Sequence, residues 1–261
     1  MRIALFATCL IDTFRPSAGF ATVKLLEQAG YQVDVPESQT CCGQPSYNNG
    51  DVASARQIAQ QTIETFSDYD YIVIPSGSCA GMLIKHYPKL FEDSPEWKKK
   101  ATDFSSRCHE LVKFLHEHTK KPTFDISHKK TVTYHDSCSS LREIGNKQQT
   151  RDLLKANEKL NLIEMSDSET CCGFGGTFCV KYPEISENMV DDKIKNIQAT
   201  GADLLVAGDM GCLLNIAGRL KRLKSPIKVF HIAEVLAGET DNASIAEAAN
   251  KTNNTKSTGK S

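Results

Sequence analysis

The feature that most constrains this chain is a pattern of cysteines that occurs twice. In each copy a lone cysteine is followed by an adjacent pair, in the strings "TCCGQP" and "TCCGFG", and then by a final cysteine. The gaps are 31 and then 36 residues in the first copy, and 32 and then 39 in the second. Matched spacing of the same residues indicates an internal duplication. The cysteines of the pattern are Cys9, Cys41, Cys42, Cys79, Cys138, Cys171, Cys172 and Cys212.

The cysteines of the pattern follow segments with the composition of β-strands. In the first copy these segments are "RIALFAT", "YQVDVP" and "YDYIVIPSGSC", and in the second they are "KTVTYHDSC", "LNLIEM" and "ADLLVAGDMGC". Helical segments lie between them, and strands that alternate with helices are typical of parallel sheets, whose ligands bind at the carboxyl ends of the strands. The sequence therefore predicts an α/β protein with two Rossmann-like halves and cysteines at the carboxyl ends of strands.

The duplication also predicts the domain boundaries. We expect one cysteine-rich domain over residues 1–120 and a second over residues 130–238. Each would close with an amphipathic helix, in "FSSRCHELVKFLHE" and in "VFHIAEVLAGE". The remaining residues, 239–261, are polar and of low complexity, which predicts a disordered tail.

Composition limits the partners and the compartment. The 31 basic and 32 acidic residues give a formal net charge of -1, which offers no general reason to expect nucleic acid or an anionic membrane as a partner. The N-terminal "IALFATCLI" is too short to span a membrane and too short for a lipoprotein signal. We therefore expect a cytoplasmic protein. Reducing compartments keep thiols free, so the ten cysteines indicate metal or cluster ligation.

Four thiolates in each half suit an iron–sulfur cluster or a tetrahedral zinc ion. Structural zinc sites usually contain cysteines two to four residues apart, whereas the close cysteines of this chain are directly adjacent. Adjacent cysteines reach different irons of one cluster more easily than they share one small ion. The spacing thus favours an iron–sulfur cluster in each half, and zinc in one half stays the alternative. Ferredoxin-type runs of closely spaced cysteines do not occur in the sequence.

Two cysteines lie outside the repeated pattern. Cys108 falls in a predicted helix, and Cys179 aligns with Asn49 of the first copy. We interpret both as buried packing residues. The glycines of "GFGG" at 173–176 follow a cysteine loop and not a strand, so we expect them to give the backbone room around sulfur ligands and not to bind a nucleotide.

His135 and Asp136 lie just before Cys138 and suggest either Cys–His catalysis or a supporting role. The first copy has Phe6 and Ala7 at these positions, so the two residues are not part of the duplicated machinery. Hydrogen bonding toward cluster sulfur or helix capping is therefore favoured over catalysis.

The motifs "ALFATCLID", "QTCCGQP", "PSGSCAGML", "YHDSC", "CCGFGGTF" and "AGDMGCLLNIAGRL" resemble the cysteine-rich CCG domain found in heterodisulfide reductase and in the iron–sulfur subunit of glycolate oxidase. The likeness covers residues 1–238 and, within that group, is greatest to the lactate utilization proteins. The resemblance implies an iron–sulfur oxidoreductase subunit, not catalytic alone, of a complex that oxidises L-lactate to pyruvate and so allows lactate to serve as a carbon source. It also implies two companion lactate utilization proteins as partners, one with ferredoxin-type clusters. The alternatives are a glycolate oxidase or heterodisulfide reductase-type subunit, and a zinc-stabilised structural subunit.

The sequence departs from the pattern of heterodisulfide reductase-type domains at two matched positions. Those domains carry a fifth cysteine three residues before the last one, and this chain has Ser76 and Asp209 there. Each half therefore offers four thiolates, and Asp209 is a candidate oxygen ligand. A histidine that often follows the lone cysteine of the family's second half is replaced by Ser139.

Overall fold

A computed structural model describes residues 2–119 and 126–248. Each half contains one four-stranded sheet in which all neighbouring strands are parallel. The strand orders are β2-β1-β3-β4 and β6-β5-β7-β8, so the predicted pair of α/β halves is confirmed. The strands are β1 (Ile3–Leu5), β2 (Val33–Asp34), β3 (Tyr71–Ile74), β4 (Cys108–Glu110), β5 (Lys130–Tyr134), β6 (Leu160–Leu162), β7 (Leu204–Ala207) and β8 (Lys228–His231).

Helices connect the strands and cover the sheets. Those of the first half are α1 (Cys9–Phe14), α2 (Pro16–Gln28), α3 (Gln44–Asn48), α4 (Val52–Thr65), α5 (Gly77–Gly81), α6 (Tyr87–Leu90), α7 (Pro95–Arg107) and α8 (Leu111–His118). Those of the second half are α9 (Lys147–Lys155), α10 (Phe178–Lys181), α11 (Pro183–Ala199), α12 (Met210–Arg222), α13 (Ile232–Leu236) and α14 (Ile245–Ala248). The chain also contains two π-helical turns. Met82–His86 continues α5, and Ser140–Ile144 lies between β5 and α9.

Several helices begin at residues that favour a helix start. Proline opens α2, α7 and α11, where its fixed φ suits the first turn and its missing N–H loses no hydrogen bond. Asp51 precedes α4, and its side chain accepts a hydrogen bond of 3.1 Å from the backbone N–H of Ser54. The strands β3 and β7 are almost wholly buried, as their apolar sequences predict.

The strand order places a binding crevice in each half. In the order β2-β1-β3-β4 the chain leaves β1 on one side to form β2 and returns to its other side to form β3. Loops that leave neighbouring strands in opposite directions open a crevice at their carboxyl ends, which is where such folds bind ligands. The second half has the same order, and the repeated cysteines follow the strands at this crevice in both halves.

Each half ends with a fourth strand, at a place where the sequence predicts part of a closing helix. Cys108–Glu110 pairs with β3, and Lys228–His231 pairs with β7, before α8 and α13 begin. The prediction that Cys108 lies in a helix is therefore wrong. A strand of three residues is too short to show the alternation of apolar and polar residues that distinguishes a strand from the helical pattern on both sides. Glu110 and His231 end these strands and cap the next helices.

The two halves pack through a shared central layer. The helices α2 and α8 contact α13 and α9 between the two sheets, where Leu25, Phe114, Leu154 and Leu236 are fully buried or nearly so. Two further apolar cores lie on the outer faces of the sheets. The halves therefore form one structural unit.

The C-terminal segment differs in part from the predicted disordered tail of 239–261. Up to residue 248 the chain is ordered: Ile245 is buried against the second half, and Arg15 donates a hydrogen bond of 2.8 Å to the carbonyl oxygen of Ala243. A few apolar residues within a polar sequence are enough for this packing. The rest of the predicted tail, and residues 120–125 between the two predicted domains, lie outside the described residues, and the boundaries 1–120 and 130–238 stay predictions.

Within the described parts of the chain, no helix has both the length and the apolar character that crossing a bilayer requires.

Candidate metal centres

Cys9, Cys41, Cys42 and Cys79, the first thiol group, converge at the carboxyl end of the first sheet. Cys9 begins α1 directly after β1, the adjacent pair lies in the loop after β2, and Cys79 lies in α5 after β3. The Sγ atoms of Cys9 and Cys41 are 4.0 Å apart, and the Cys42 thiol interacts with both Cys41 and Cys79. All ten cysteines of the chain are free thiols. Four sulfur ligands are therefore available at one place.

Cys138, Cys171, Cys172 and Cys212, the second thiol group, repeat this arrangement after β5, β6 and β7. Cys171 interacts with Cys138 and Cys172, and Cys172 interacts with Cys212. The backbone N–H of Gly173 donates a hydrogen bond of 3.4 Å to Cys171 Sγ. The structure thus brings the eight cysteines of the repeat together in two groups of four.

One thiol in each group is the preferred thiolate. The pKa of Cys41 lies well below its ordinary value because Cys42 and Cys9 donate hydrogen bonds to its sulfur. The pKa of Cys171 is lowered in the same way by its two neighbouring thiols. The donors in turn have raised pKa values, through these hydrogen bonds and through burial. A metal would therefore meet one thiolate first and displace protons from the other thiols as it binds.

The glycine after each cysteine pair is required by the backbone. Gly43 and Gly173 have φ of +79° and +80°, in the left-handed region that other residues rarely adopt. A Cβ on Gly173 would lie 2.7 Å from the carbonyl oxygen of Ser186, and a Cβ on Gly43 would lie 3.3 Å from Ile58. This left-handed turn directly follows the second cysteine of each pair, which is buried in both halves.

A cavity of about 210 Å³ adjoins the first thiol group and is lined by both halves. The first half contributes all four thiols with Gln44, and the second half contributes Phe174, Thr177 and Met210. The second half therefore shields the first group from solvent, although Cys9 itself remains exposed.

Ser76 and Asp209, the residues at the two positions of a fifth cysteine, contact each other across the interface between the halves. Asp209 accepts hydrogen bonds from the backbone N–H of Ser78 at 2.8 Å and of Gly211 at 3.2 Å, and Ser76 Oγ lies 3.4 Å from its carboxylate. The carboxylate of Asp209 therefore already binds the N-termini of α5 and α12. The role of Asp209 as an oxygen ligand stays a prediction.

The second thiol group has two buried nitrogen-bearing neighbours. A ring nitrogen of His135 and the Sγ atoms of Cys172 and Cys212 all lie within 4.8 Å of one another, and burial lowers the pKa of His135 to about 3. Lys193, on α11, is fully buried and donates a hydrogen bond of 3.0 Å to the carbonyl oxygen of Ser168; burial lowers its pKa.

His135 was expected from the sequence to have a supporting role, whereas Lys193 was not singled out. A signal for Lys193 was present, because it has helical spacing with Val190, Ile194 and Ile197 on the buried face of α11. A lysine on such a face needs a partner inside the protein. At the position of Lys193 the first half has Ile63, counted from the Cys-Cys-Gly turn.

Other residues singled out from the sequence lie outside the thiol groups. Asp136 forms a buried ion pair with Arg151, with Nη2 and Oδ2 2.7 Å apart, so its contacts hold the end of β5 in place. Cys108 is buried in β4, as expected of a packing residue. Cys179 differs from the expectation, since it is only half-buried on the short helix α10, and its thiol donates to the carbonyl oxygen of Gly176 at 3.3 Å.

The donor sets fit a thiophilic metal centre. Each group combines four free thiols, one of them already favoured as thiolate, and the second half closes over the first group. In addition, both ring nitrogens of His135 are buried without a hydrogen-bond partner beside the second group, among the residues that the structure describes. Soft sulfur ligands in this number suit iron–sulfur clusters and zinc.

The fold and the thiol groups define a class of protein: a duplicated, cysteine-rich α/β protein with one sulfur site in each half. The sequence matches the family described as "CCG: Cysteine-rich domain" over residues 3–84 and again over residues 132–217. The chain belongs to this family and, within it, to the lactate utilization protein A family.

That membership rests on curated relatives of nearly equal length. The chain is 49% identical over 236 residues to "Lactate utilization protein A" of Geobacillus sp. (strain WCH70), which covers 90% of this chain and 99% of that protein. It is 48% identical over 236 residues to "Lactate utilization protein A" of Shouchella clausii (strain KSM-K16), which covers 90% of this chain and 98% of that protein.

A solved structure shows the same fold at low sequence identity. A hypothetical protein from Helicobacter pylori is similar with a TM-score of 0.64 and 12% identity, over 96% of this chain. The chain spans about half the length of that protein, since 51% of it is covered. The likeness supports the α/β architecture alone.

Proposed function

We propose that this protein is an iron–sulfur electron-transfer subunit of a cytoplasmic complex that oxidises L-lactate to pyruvate. The observation that carries the proposal is the convergence of four free thiols at the carboxyl end of each sheet. The role in lactate use is supported by relatives at 49% and 48% identity that are named lactate utilization protein A. The protein would serve as an oxidoreductase component and not as a complete enzyme.

The arrangement of the pairs favours iron–sulfur clusters over single ions. Cys41 and Cys42 are adjacent, and so are Cys171 and Cys172, which lets each pair reach two irons of one cluster. We assign Cys9, Cys41, Cys42 and Cys79 as ligands of one [4Fe-4S] cluster and the second thiol group as ligands of another. When bound, a cluster supplies one-electron chemistry.

The chain's own residues would hold and tune these centres. The N–H of Gly173 donates to Cys171 Sγ, and Cys212 lies in the first turn of α12. Residues Phe174 and Met210 of the second half cover the first group and limit its contact with water. Burial and hydrogen bonds to sulfur are the means by which a protein sets the potential of such a centre.

Zinc in the second half is the second candidate, because His135 lies with Cys172 and Cys212 in a group that could hold one ion. Mixed cysteine and histidine sets are common ligands of structural zinc. In that case the second half would stabilise the fold, and electron transfer would pass through the first half only.

Two companion lactate utilization proteins, one with ferredoxin-type clusters, complete the proposed complex. The sequence of this chain has no ferredoxin-type run of cysteines, so a partner would have to supply such a relay. A glycolate oxidase or heterodisulfide reductase-type complex is the alternative within the same chemistry.

Growth of a deletion strain on L-lactate tests the assignment. We expect the strain to lose growth on L-lactate and to keep growth on glucose. Complementation with the wild-type gene or with Cys179→Ser should restore growth, whereas Cys42→Ser should not, because only Cys42 belongs to a thiol group. Unimpaired growth of the deletion strain on L-lactate would count against the lactate role.

A further inference from the structure

His135 is held rigidly beside the second thiol group. It follows the last residue of β5, and its backbone N–H donates a hydrogen bond of 2.9 Å to the carbonyl oxygen of Val206 on the neighbouring strand β7. The side chain is 1% exposed. The position of the ring is therefore fixed by the sheet and not by a mobile loop.

Both ring nitrogens of His135 are buried and, within the described part of the chain, have no hydrogen-bond partner. A buried polar group without a partner is unfavourable, and native proteins usually satisfy such groups. The imidazole of His135 is thus unexplained by the contacts of the polypeptide alone. A bound metal would satisfy one of the two nitrogens.

The neighbours of the ring are suitable co-ligands. A ring nitrogen of His135, Cys172 Sγ and Cys212 Sγ lie within 4.8 Å of one another. Bond lengths of about 2.0–2.1 Å to nitrogen and about 2.3 Å to sulfur put two ligands of one tetrahedral ion about 3.5–3.8 Å apart, so the three atoms have to approach one another by up to about 1 Å to bind one metal. Cys171 and Lys193 are the charged groups that also act on the ring.

The first half has nothing equivalent at this position. Phe6 occupies the matching place, is fully buried, and packs on Phe66 with ring centroids 5.6 Å apart. A phenyl ring offers no ligand atom. Both halves therefore have four thiols. Among the residues that the structure describes, the second half alone has a fifth donor at this position, the imidazole of His135.

We propose that His135 is a nitrogen ligand of the metal in the second centre, so that the two centres differ in their ligands. The first centre would be held by sulfur alone, and the second by sulfur together with one imidazole. This rests on the proposed binding of metal at the second thiol group. An imidazole ligand is neutral whereas a thiolate is charged, so the two centres would differ in potential.

The test isolates the second centre. In the Cys42→Ser variant, which lacks a ligand of the first centre, dithionite-reduced protein is prepared with ordinary and with ¹⁵N-labelled histidine and studied by pulsed electron paramagnetic resonance. We expect a nitrogen coupling that changes with the isotope and disappears in Cys42→Ser/His135→Phe. The matched control is Cys172→Ser, in which the first centre remains; there His135→Phe should change nothing. Thermal melting of the His135→Phe protein shows that it folds.

X-ray absorption at the edge of the bound metal completes the test and separates the two proposals. Iron bound in the second half by sulfur alone would overturn the role of His135 while the electron-transfer function stands. Zinc bound through nitrogen and sulfur, with the nitrogen lost in His135→Phe, would support His135 as a ligand while electron transfer through this half fails. Purified protein whose second half binds no metal would overturn the role of His135 and the assignment of a second cluster, while electron transfer through the first half stands.

Discussion

Ser76 Oγ and the carboxylate of Asp209 lie 3.4 Å apart, although the two residues occupy the same position in the two copies of the cysteine pattern. This contact crosses the interface between the halves and is reinforced by the N–H of Ser78, 2.8 Å from Asp209 Oδ2. The positions where related domains have a fifth cysteine thus join the halves in this protein. Each half is left with four thiols.

Replacing Asp209 tests this structural role. We expect Asp209→Asn to lower the free energy of unfolding by about 1–2 kcal/mol, because a neutral amide oxygen accepts hydrogen bonds from the N–H groups of Ser78 and Gly211 less strongly than a carboxylate does. Iron content should be unchanged. Urea unfolding measures the effect, with the exposed Asp192→Asn as the control. Loss of iron without loss of stability would show that Asp209 is a ligand instead.

The second cysteine of each pair should control one centre only. We expect Cys42→Ser and Cys172→Ser each to remove about half of the visible cluster absorbance, since the thiol groups lie in separate sheets, and the double variant to remove nearly all of it. Absorption spectra and iron analysis of anaerobically purified protein measure this. Cys179→Ser, outside both groups, is the control. Unchanged spectra in both single variants would mean that the pairs are not ligands.

Glu110 should make the protein less stable as the pH rises. Burial raises the pKa of this carboxyl from 4.5 to about 7, so the native state holds its proton more tightly than the unfolded chain does. The stabilisation is complete below about pH 4.5 and is lost as the pH rises through 7, a change of roughly 3 kcal/mol.

The variant Glu110→Gln should lack this part of the pH dependence. Its amide oxygen keeps an acceptor near the Asn146 side chain, whose nitrogen lies 2.6 Å from Glu110 Oε2. Urea unfolding between pH 5 and pH 8 compares the two proteins, and the exposed Glu117→Gln serves as the control. If the free energy of unfolding changed with pH in the same way in wild type and in Glu110→Gln, the prediction would be refuted.

The buried ion pair between Arg15 and Glu234 should contribute strongly to the packing of the halves. Its atoms are 2.8 Å apart, both side chains are almost wholly buried, and Glu234 also accepts from Ser17 at 2.7 Å. Arg15→Met would leave a buried charge without its partner, at a loss of about 3–5 kcal/mol. The exposed pair of Lys24 with Glu239 gives the control Lys24→Met, for which we expect less than about 1 kcal/mol. Equal losses in the two variants would contradict this view.

The sequence was sufficient to predict the duplication, the parallel α/β halves and the convergence of the eight cysteines. These follow from local patterns: apolar strands, helices with start signals, and cysteines directly after strands. The carboxyl ends of parallel strands meet at one edge, so Cys9 and Cys79 approach each other because β1 and β3 are neighbours.

Other features depend on contacts between distant segments and could not be predicted in this way. The strands β4 and β8 form because β3 and β7 offer free edges, and not because Cys108–Glu110 has a strong strand pattern. The contact of Ser76 with Asp209 and the burial of Lys193 exist only once the halves and helices pack. His135 was visible in the sequence, but its position beside Cys172 and Cys212 required the fold.

Metal and sulfide analysis of anaerobically purified protein tests the central claim most directly. With one [4Fe-4S] cluster in each half, we expect about eight iron atoms and about eight acid-labile sulfides per chain, from the composition of two such clusters. Iron and sulfide in equal amounts, both lost together in the Cys42→Ser/Cys172→Ser protein, would agree with the proposal. Two zinc ions per chain without acid-labile sulfide would contradict it.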